Sequence, residues 1–311
     1  MAAIHTRHIP GIPGLTVDEA GTGELVLFMH GIGGNRTNWT RQVQKFGDHC
    51  LAVAWDARGY NGSEDYEGPL DFSDFARDIL RLLKFYGRRK LHLVGLSMGG
   101  RIAQDFHALF PRHVATLTIV ASFTGFQNFS DADRQKFLNL RLKPLVEEGK
   151  EPRDIAPVVA RSLSSPNATE EQYQRLVASM AALHKGSYIK TVTATTNFNR
   201  TAELAKIAVP TLLIFGEADT LTTPAMGAEM NARIKGSALV VVPKSGHLVN
   251  LEQPDAFEAA LEAFLFKHRG RADVPAPKAA PKSARKAAKP RKVSAGAKKT
   301  AAKPAKAKKR R

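Results

Sequence analysis

Ser97 stands in Gly95-Leu96-Ser97-Met98-Gly99-Gly100, directly after the apolar run Leu91–Val94 and directly before a stretch of helical period, Arg101–Phe110. A serine on a tight strand-to-helix turn has its hydroxyl exposed. Glycine two residues before it and two after it lets the backbone bend sharply without a Cβ clash. The helix that follows directs free N–H groups and the positive end of its dipole to the same point, which suits a developing oxyanion. Neutral serine is a poor nucleophile, so it needs a base, and the base needs an acid to hold its tautomer. Of the ten histidines, His247 fits best, because Ser245-Gly246-His247 forms a glycine-containing loop just past the apolar run Ala238–Val242. The acid is expected to be Asp219, in Gly216-Glu217-Ala218-Asp219 after the run Thr211–Phe215, with Glu217 as the competing carboxylate. Asp219 precedes His247 by 28 positions, enough for one helix and one strand, so both side chains would emerge at the same end of neighbouring strands.

A tetrahedral intermediate also needs two preorganised donors, each worth roughly 3 kcal/mol. Met98 N–H is one. The second is expected from His30-Gly31-Ile32-Gly33-Gly34, with Ile32 N–H as the donor and Gly31 or Gly33 as the neighbouring registers. His30 itself reads as a side chain that braces this loop. Gly31, Trp39, Phe123, Phe126 and Phe198, with Phe129, are the candidate substrate-binding positions. Arg141, Lys143 and Arg161 could meet a substrate carboxylate, although a solvated helix face is the plainer reading.

The elements that must carry these residues are legible from the alternation of short apolar runs with helical-period segments. Leu25–Met29, Cys50–Asp56, Leu91–Gly95 and Ala115–Ser122 read as strands around the helical stretches Phe72–Phe85 and Arg101–Phe110. The pattern returns at Thr211–Glu217, Ala238–Lys244 and the helical Pro254–Phe266. Strands alternating with helices imply an α/β fold with a mostly parallel sheet and helices on both faces. Residues 124–207 show no strand-like alternation and read as several short helices, a cap inserted between a core formed by 1–123 and 208–270.

The formal charge of +17 suggests a nucleic-acid binder until it is divided. Residues 271–311 hold 16 of the 46 Lys and Arg and one of the 29 acids, a net +15, which leaves +2 for the first 270 residues. The Lys/Ala/Pro-rich tail has too few apolar side chains to offset its ordering entropy and is expected to be disordered. Its chemistry suits non-specific binding of nucleic acid or another polyanion. The 43% hydrophobic residues are those of an ordinary globular body. A single cysteine, Cys50, and a start without a signal-peptide pattern point to a reducing, cytoplasmic location, and no apolar run reaches membrane-span length. No metal-ligand cluster, phosphate loop or dinucleotide fingerprint is present, so neither metal nor cofactor is expected.

With these residues in hand, the chain resembles the α/β-hydrolase family over nearly all of residues 10–268. The matching pieces are HGIGG, Asp56-Ala57-Arg58-Gly59-Tyr60, GLSMGG with Ala103-Gln104, GEAD, and SGH with Asn250-Leu251-Glu252-Gln253-Pro254. The order Ser97, Asp219, His247 is the order that family uses. Asn61 takes a place where family members often have glycine, and asparagine tolerates a left-handed turn better than other non-glycine residues. The resemblance implies a serine hydrolase, and GLSMGG with Ala103-Gln104 looks most like the branch of 3-oxoadipate enol-lactonases and esterases. The expected activity is cleavage of a small carboxylic ester or lactone through an acyl-serine. The alternatives are a carbon–carbon bond hydrolase or a cofactor-free haloperoxidase on the same triad, or a polyanion-binding protein that works through its tail.

Overall fold

The computed structural model describes residues 1–126 and 129–273; the expectations for the remainder of the basic tail lie outside the described residues. Eight strands form one sheet in the order β1-β2-β4-β3-β5-β6-β7-β8. The strands are β1 (His5–Ile9), β2 (Leu15–Ala20), β3 (Leu25–Met29), β4 (Leu51–Trp55), β5 (Leu91–Leu96), β6 (Val114–Val120), β7 (Thr211–Gly216) and β8 (Ala238–Val242). From β4 to β8 every neighbouring pair is parallel. The first two strands form an antiparallel hairpin added at the β4 edge. That hairpin is absent from the sequence-based expectation, because its members are short and mix polar with apolar residues.

Parallel strands covered on both faces read as continuous apolar runs, and β3, β5, β6 and β7 are buried along their whole length. At the sheet's ends β1 and β8 are largely exposed or half-buried. The body helices are α1 (Thr40–Phe46), α2 (Asp74–Phe85) and α3 (Met98–Leu109), followed late in the chain by α9 (Pro224–Arg233), the short α10 (Val249–Glu252) and α11 (Pro254–Lys267). In α2 the buried residues Phe75, Ala76, Ile79, Leu82 and Leu83 repeat at helical spacing, which is what holds the helix to the sheet.

Between β6 and β7 lie α4 (Asp131–Arg141), α5 (Lys143–Val146), α6 (Pro152–Leu163), α7 (Glu170–Ala181) and α8 (Lys185–Asn197), a helical insertion in the sheet's strand order. Its two ends meet. Gly125 and Asn199 form an isolated antiparallel bridge, and Arg200 N donates to Thr124 O at 2.8 Å. An insertion whose ends lie side by side leaves the parent strands undisturbed. The insertion is seated by polar contacts: Asn38 Nδ2 donates to Ser179 Oγ at 3.1 Å, Lys190 Nζ to Tyr66 O at 2.8 Å and Gln172 Nε2 to Leu251 O at 2.7 Å. No described helix is long and apolar enough to cross a membrane.

The fold also shows where a site should be. In an open α/β sheet, ligands bind beyond the carboxyl ends of the strands where the strand order reverses. Here β3 is followed by β4 on one side while β5 lies on its other side. The loops after β3 and β5 are HGIGG and the turn that carries Ser97.

Candidate active site

Ser97 sits on the sharp turn between β5 and α3 with φ 53° and ψ −110°. This conformation is rarely populated by a residue with a Cβ and costs about 1–3 kcal/mol, so the surroundings must enforce it. They do so through contact. Ser97 N donates to Val120 O at 2.8 Å, and Ser122 Oγ donates to Ser97 O at 2.6 Å. The flanking glycines are required for space: a Cβ at Gly95 would lie 2.2 Å from Gly99 O, and one at Gly99 2.2 Å from Met29 O. The Gly99→Ala variant is therefore expected to lose about 2–3 kcal/mol of stability. Gly186→Ala, in α8, would meet no atom within 4 Å and should gain about 0.5–1 kcal/mol. Urea unfolding midpoints of both variants check this pair; equal midpoints would mean the elbow is not close-packed.

Helix α3 begins at Met98, three residues earlier than the period of the sequence suggests, so Met98 N–H is at its first turn and has no intrahelical acceptor. Opposite it, Gly34 N donates to Gly31 O at 3.1 Å, and Gly33 has φ 83°. This is a turn with a left-handed third residue, which leaves the Ile32 and Gly33 N–H groups unconsumed. The loop abuts Ser97, since a Cβ on Gly31 would lie 3.2 Å from Ser97 Cβ. His30 braces the loop as expected: its Nδ1 faces Gly31 O at 2.8 Å and its Nε2 accepts from Ala57 N at 3.1 Å. Burial pushes the His30 pKa down, which suits a neutral spacer rather than a second base.

His247 and Asp219 follow β8 and β7, and His247 Nδ1 lies 2.9 Å from Asp219 Oδ2. Both are almost fully buried. Asp219 Oδ1 accepts from Leu221 N at 2.8 Å and Thr222 N at 3.0 Å, and Thr222 Oγ1 donates to Oδ2 at 2.5 Å. Burial alone would raise the Asp219 pKa, but the facing His247 charge and the hydrogen bonds from His247 and Thr222 hold it below its ordinary value. The competing Glu217 is spent elsewhere, accepting from Lys244 N at 3.1 Å. The two loops are pressed together: Ala218 N donates to Ser245 O at 2.8 Å, and a Cβ on Gly216 would lie 2.1 Å from Gly246 O. Glu252 ties down the histidine loop by accepting from Gly246 N at 2.8 Å. Among the described residues the Asp219–His247 pair is hydrogen-bonded, whereas no hydrogen bond joins His247 to Ser97. Catalytic hydrogen bonds of this kind often close only with substrate bound.

Three supporting residues escaped the sequence reading. Thr222 and Glu252 touch the acid and the base loop, and Ser122 holds the serine turn. Thr222 had a local signal, a hydroxyl three residues beyond an aspartate, which is turn chemistry, and Glu252 stood in the Asn250–Pro254 piece that carries the family resemblance.

The aromatic candidates separate. Phe123 and Phe126 lie together with ring centroids 5.0 Å apart, and Phe129 is 5.0 Å from both. Phe198 packs on Phe72 at 4.5 Å. Trp39 is a correction: it is fully buried between Phe28 at 5.2 Å and Phe257 at 5.8 Å, which makes it a core residue rather than a pocket wall. Trp39 ends the helical turn Arg36–Trp39 that leads into α1, and from there its ring packs on Phe28 of β3. Asn61 has φ 44°, the left-handed turn anticipated for it. Cys50 is buried, and burial pushes its thiol up to about 12, so it acts as a small apolar side chain.

With the geometry described, comparison with known proteins locates the chain. The sequence model of the alpha/beta hydrolase family matches residues 26–260. The 3-oxoadipate enol-lactonase 2 of Acinetobacter baylyi is 28% identical over 243 residues, which is 77% of this chain and 88% of that protein. The 2-(acetamidomethylene)succinate hydrolase of Mesorhizobium japonicum is 26% identical, over 81% of this chain and 91% of that protein. Among solved structures, a hydrolase from Pseudomonas aeruginosa PA01 is similar with a TM-score of 0.76 at 25% identity, covering 84% of this chain and 98% of that one.

Proposed function

The chain belongs to the alpha/beta hydrolase family, and from that premise we propose that it cleaves a carboxylic ester or lactone through an acyl-serine formed on Ser97. The observation that carries this reading is the 2.9 Å contact between Asp219 and His247 Nδ1, at the same strand ends as the strained serine turn. A carboxylate on Nδ1 holds the proton there, so Nε2 keeps its lone pair for the serine hydroxyl.

In this scheme His247 Nε2 takes the Ser97 proton as Oγ attacks the substrate carbonyl carbon. The carbonyl π electrons move to oxygen, and the N–H groups of Met98 and Ile32 receive the oxyanion. When the intermediate collapses, the carbon–oxygen bond to the leaving group breaks and His247 returns its proton to that oxygen. Water then gives a proton to His247 and attacks the acyl carbon, and collapse releases the acid and regenerates Ser97. With a lactone the leaving alcohol stays tethered to the acyl group.

A fluorophosphonate probe tests the nucleophile directly. Wild type is expected to label at one residue, Ser97, and Ser97→Ala to remain unlabelled. Equal labelling of the two proteins would refute the assignment. A panel of p-nitrophenyl esters, saturated lactones and an enol-lactone then ranks the acyl substrates.

A further inference from the structure

The basic tail has no role in this scheme, and its root is part of the described structure. Residues 271–273 belong to the tail by composition but are held to the body. Glu24 accepts from Gly270 N at 3.0 Å and from Ala272 N at 2.7 Å, and Ala272 is buried. Arg88 Nη1 donates to Asp273 O at 3.3 Å, and the Asp273 carboxylate accepts from Arg89 N at 2.9 Å and from Lys90 N at 2.6 Å. Burial alone would raise the Asp273 pKa, but the N–H groups of Lys90 and Arg89 hold it below its ordinary value. The one acid of the tail is therefore consumed by the anchor. Residues 274–311, which continue from it, hold 15 Lys and Arg, no Asp or Glu, and no aromatic residue.

The anchor lies at the pole of the sheet away from the candidate active site. Arg89 and Lys90 directly precede β5 and Ser97 directly follows it, so the six-residue strand sets the two about 20 Å apart. A groove of about 490 Å³ opens at this pole, lined by Arg89, Lys90, Arg112, His113, Arg271 and Asp273 among others. Arg89, Lys90, Arg112 and Arg271 are all exposed. Among the described residues Lys90, Arg112 and Arg271 form no ion pair, and Arg89 meets only the already occupied Asp273, at 3.2 Å. His113 stiffens the wall, with Nδ1 facing Arg89 O at 2.6 Å. The groove thus presents four cations and no free carboxylate. Three of them are arginines, whose planar forks match phosphate oxygens. A concave, cationic wall admits a single phosphate strand, whereas the flat face of a bilayer would reach only its rim.

We propose that this groove docks the phosphate backbone of duplex DNA, and that the 15 cations attached at its edge in residues 274–311 extend the contact without sequence preference. Lys and Arg that neutralise phosphates release condensed counter-ions, which gives affinity independent of the bases. Neither the groove nor the tail offers a Phe, Tyr or Trp on which an unpaired base could stack, and this favours a duplex over a single strand. The tail also lacks the large apolar side chains that insert into a bilayer. A duplex held at this pole leaves the strand ends that carry Ser97, Asp219 and His247 uncovered.

Anisotropy of a fluorescent duplex of about 20 base pairs, titrated with the full chain between about 50 and 200 mM salt, tests the proposal. Wild-type affinity is expected to fall by on the order of 10³-fold across that range. Arg89→Gln/Lys90→Gln/Arg112→Gln leaves the anchor's backbone bonds and the whole tail in place. It should lower the slope of log affinity against log salt by about 2–3, roughly one per phosphate contact removed, and weaken binding about tenfold or more at 100 mM salt. Arg112→Gln, which touches no anchor atom, should lower the slope by about 1 and carries the comparison if the triple variant does not fold. Lys136→Gln/Lys143→Gln/Arg153→Gln removes the same charge from exposed positions in the inserted helices and should change affinity by less than about threefold. Equal losses in the two triple variants would overturn the groove, because binding would then follow net charge alone. Absence of wild-type binding at the lowest salt would overturn the proposal outright. Tighter binding of a single strand of the same length, or of phosphatidylserine–phosphatidylcholine vesicles, would overturn the choice of duplex DNA as the partner.

Discussion

Replacing Ser97 with alanine should lower kcat on any substrate the enzyme turns over by on the order of 10⁵-fold, while leaving stability within about 0.5 kcal/mol. The two halves of this expectation have separate causes. The Oγ would form the bond that makes the acyl intermediate, and no neighbouring group is placed to substitute for it. Yet Oγ makes no hydrogen bond among the described residues, and alanine keeps the Cβ, so the φ 53° backbone remains as strained as before. What persists would be the catalysis of a site that binds substrate and polarises its carbonyl without attacking it. Steady-state kinetics with a urea titration on the same preparation measures both halves. Activity within tenfold of wild type would remove Ser97 from the mechanism, and a shifted midpoint would mean that its role is partly architectural.

Asp219→Asn should cost about 10³–10⁴-fold in kcat. Two of the four bonds at this carboxylate, those from Leu221 N and Thr222 N, need only an acceptor oxygen, and an amide can keep them. The remaining oxygen faces both Thr222 Oγ1 and His247 Nδ1. An amide nitrogen in that place presents a donor, forces Nδ1 to accept, and so moves the imidazole proton to Nε2, where it can no longer take a proton from serine. The substitution also has a pH signature. Because the folded protein holds the Asp219 pKa below its ordinary value, ionisation of this group stabilises the fold fully above the ordinary aspartate range of about 4. That contribution is lost as pH falls through the lower folded value. The Asn variant lacks this acid-labile contribution, so its stability should fall less steeply than that of wild type below pH 4. Identical slopes in acid, or a loss of kcat below tenfold, would show that Asp219 does not act through the imidazole.

These residues were legible because each stands at a place where local chemistry and element order agree. Ser97 follows an apolar run and precedes a helical one, and Asp219 and His247 come after the last two such runs. The glycines at 95 and 99 were expected for lack of a Cβ, and the contacts they would make bear this out. Other features depend on long-range packing and leave little local trace. The β1–β2 hairpin pairs short strands with mixed patterns. Trp39 looks like any aromatic near a glycine-rich loop until Phe28 and Phe257 close around it. The sequence marks Arg141 as one cap cation among three. What distinguishes it is burial without an acid, and that depends on where α4 settles against Phe126.

The backbone contact between Gly216 and Gly246 has a consequence for how errors in this site would show. Because the acid loop and the base loop touch main chain to main chain and share the bond from Ala218 N to Ser245 O, they form one mechanical corner. A disturbance on either side moves aspartate and histidine together, so the Asp219–His247 pairing survives while its aim at the serine turn drifts. Damage of this sort would be silent to a probe of the imidazole proton and visible only in turnover. Substitutions at 216 and 246 should likewise fail to add, because each alone already displaces the whole corner.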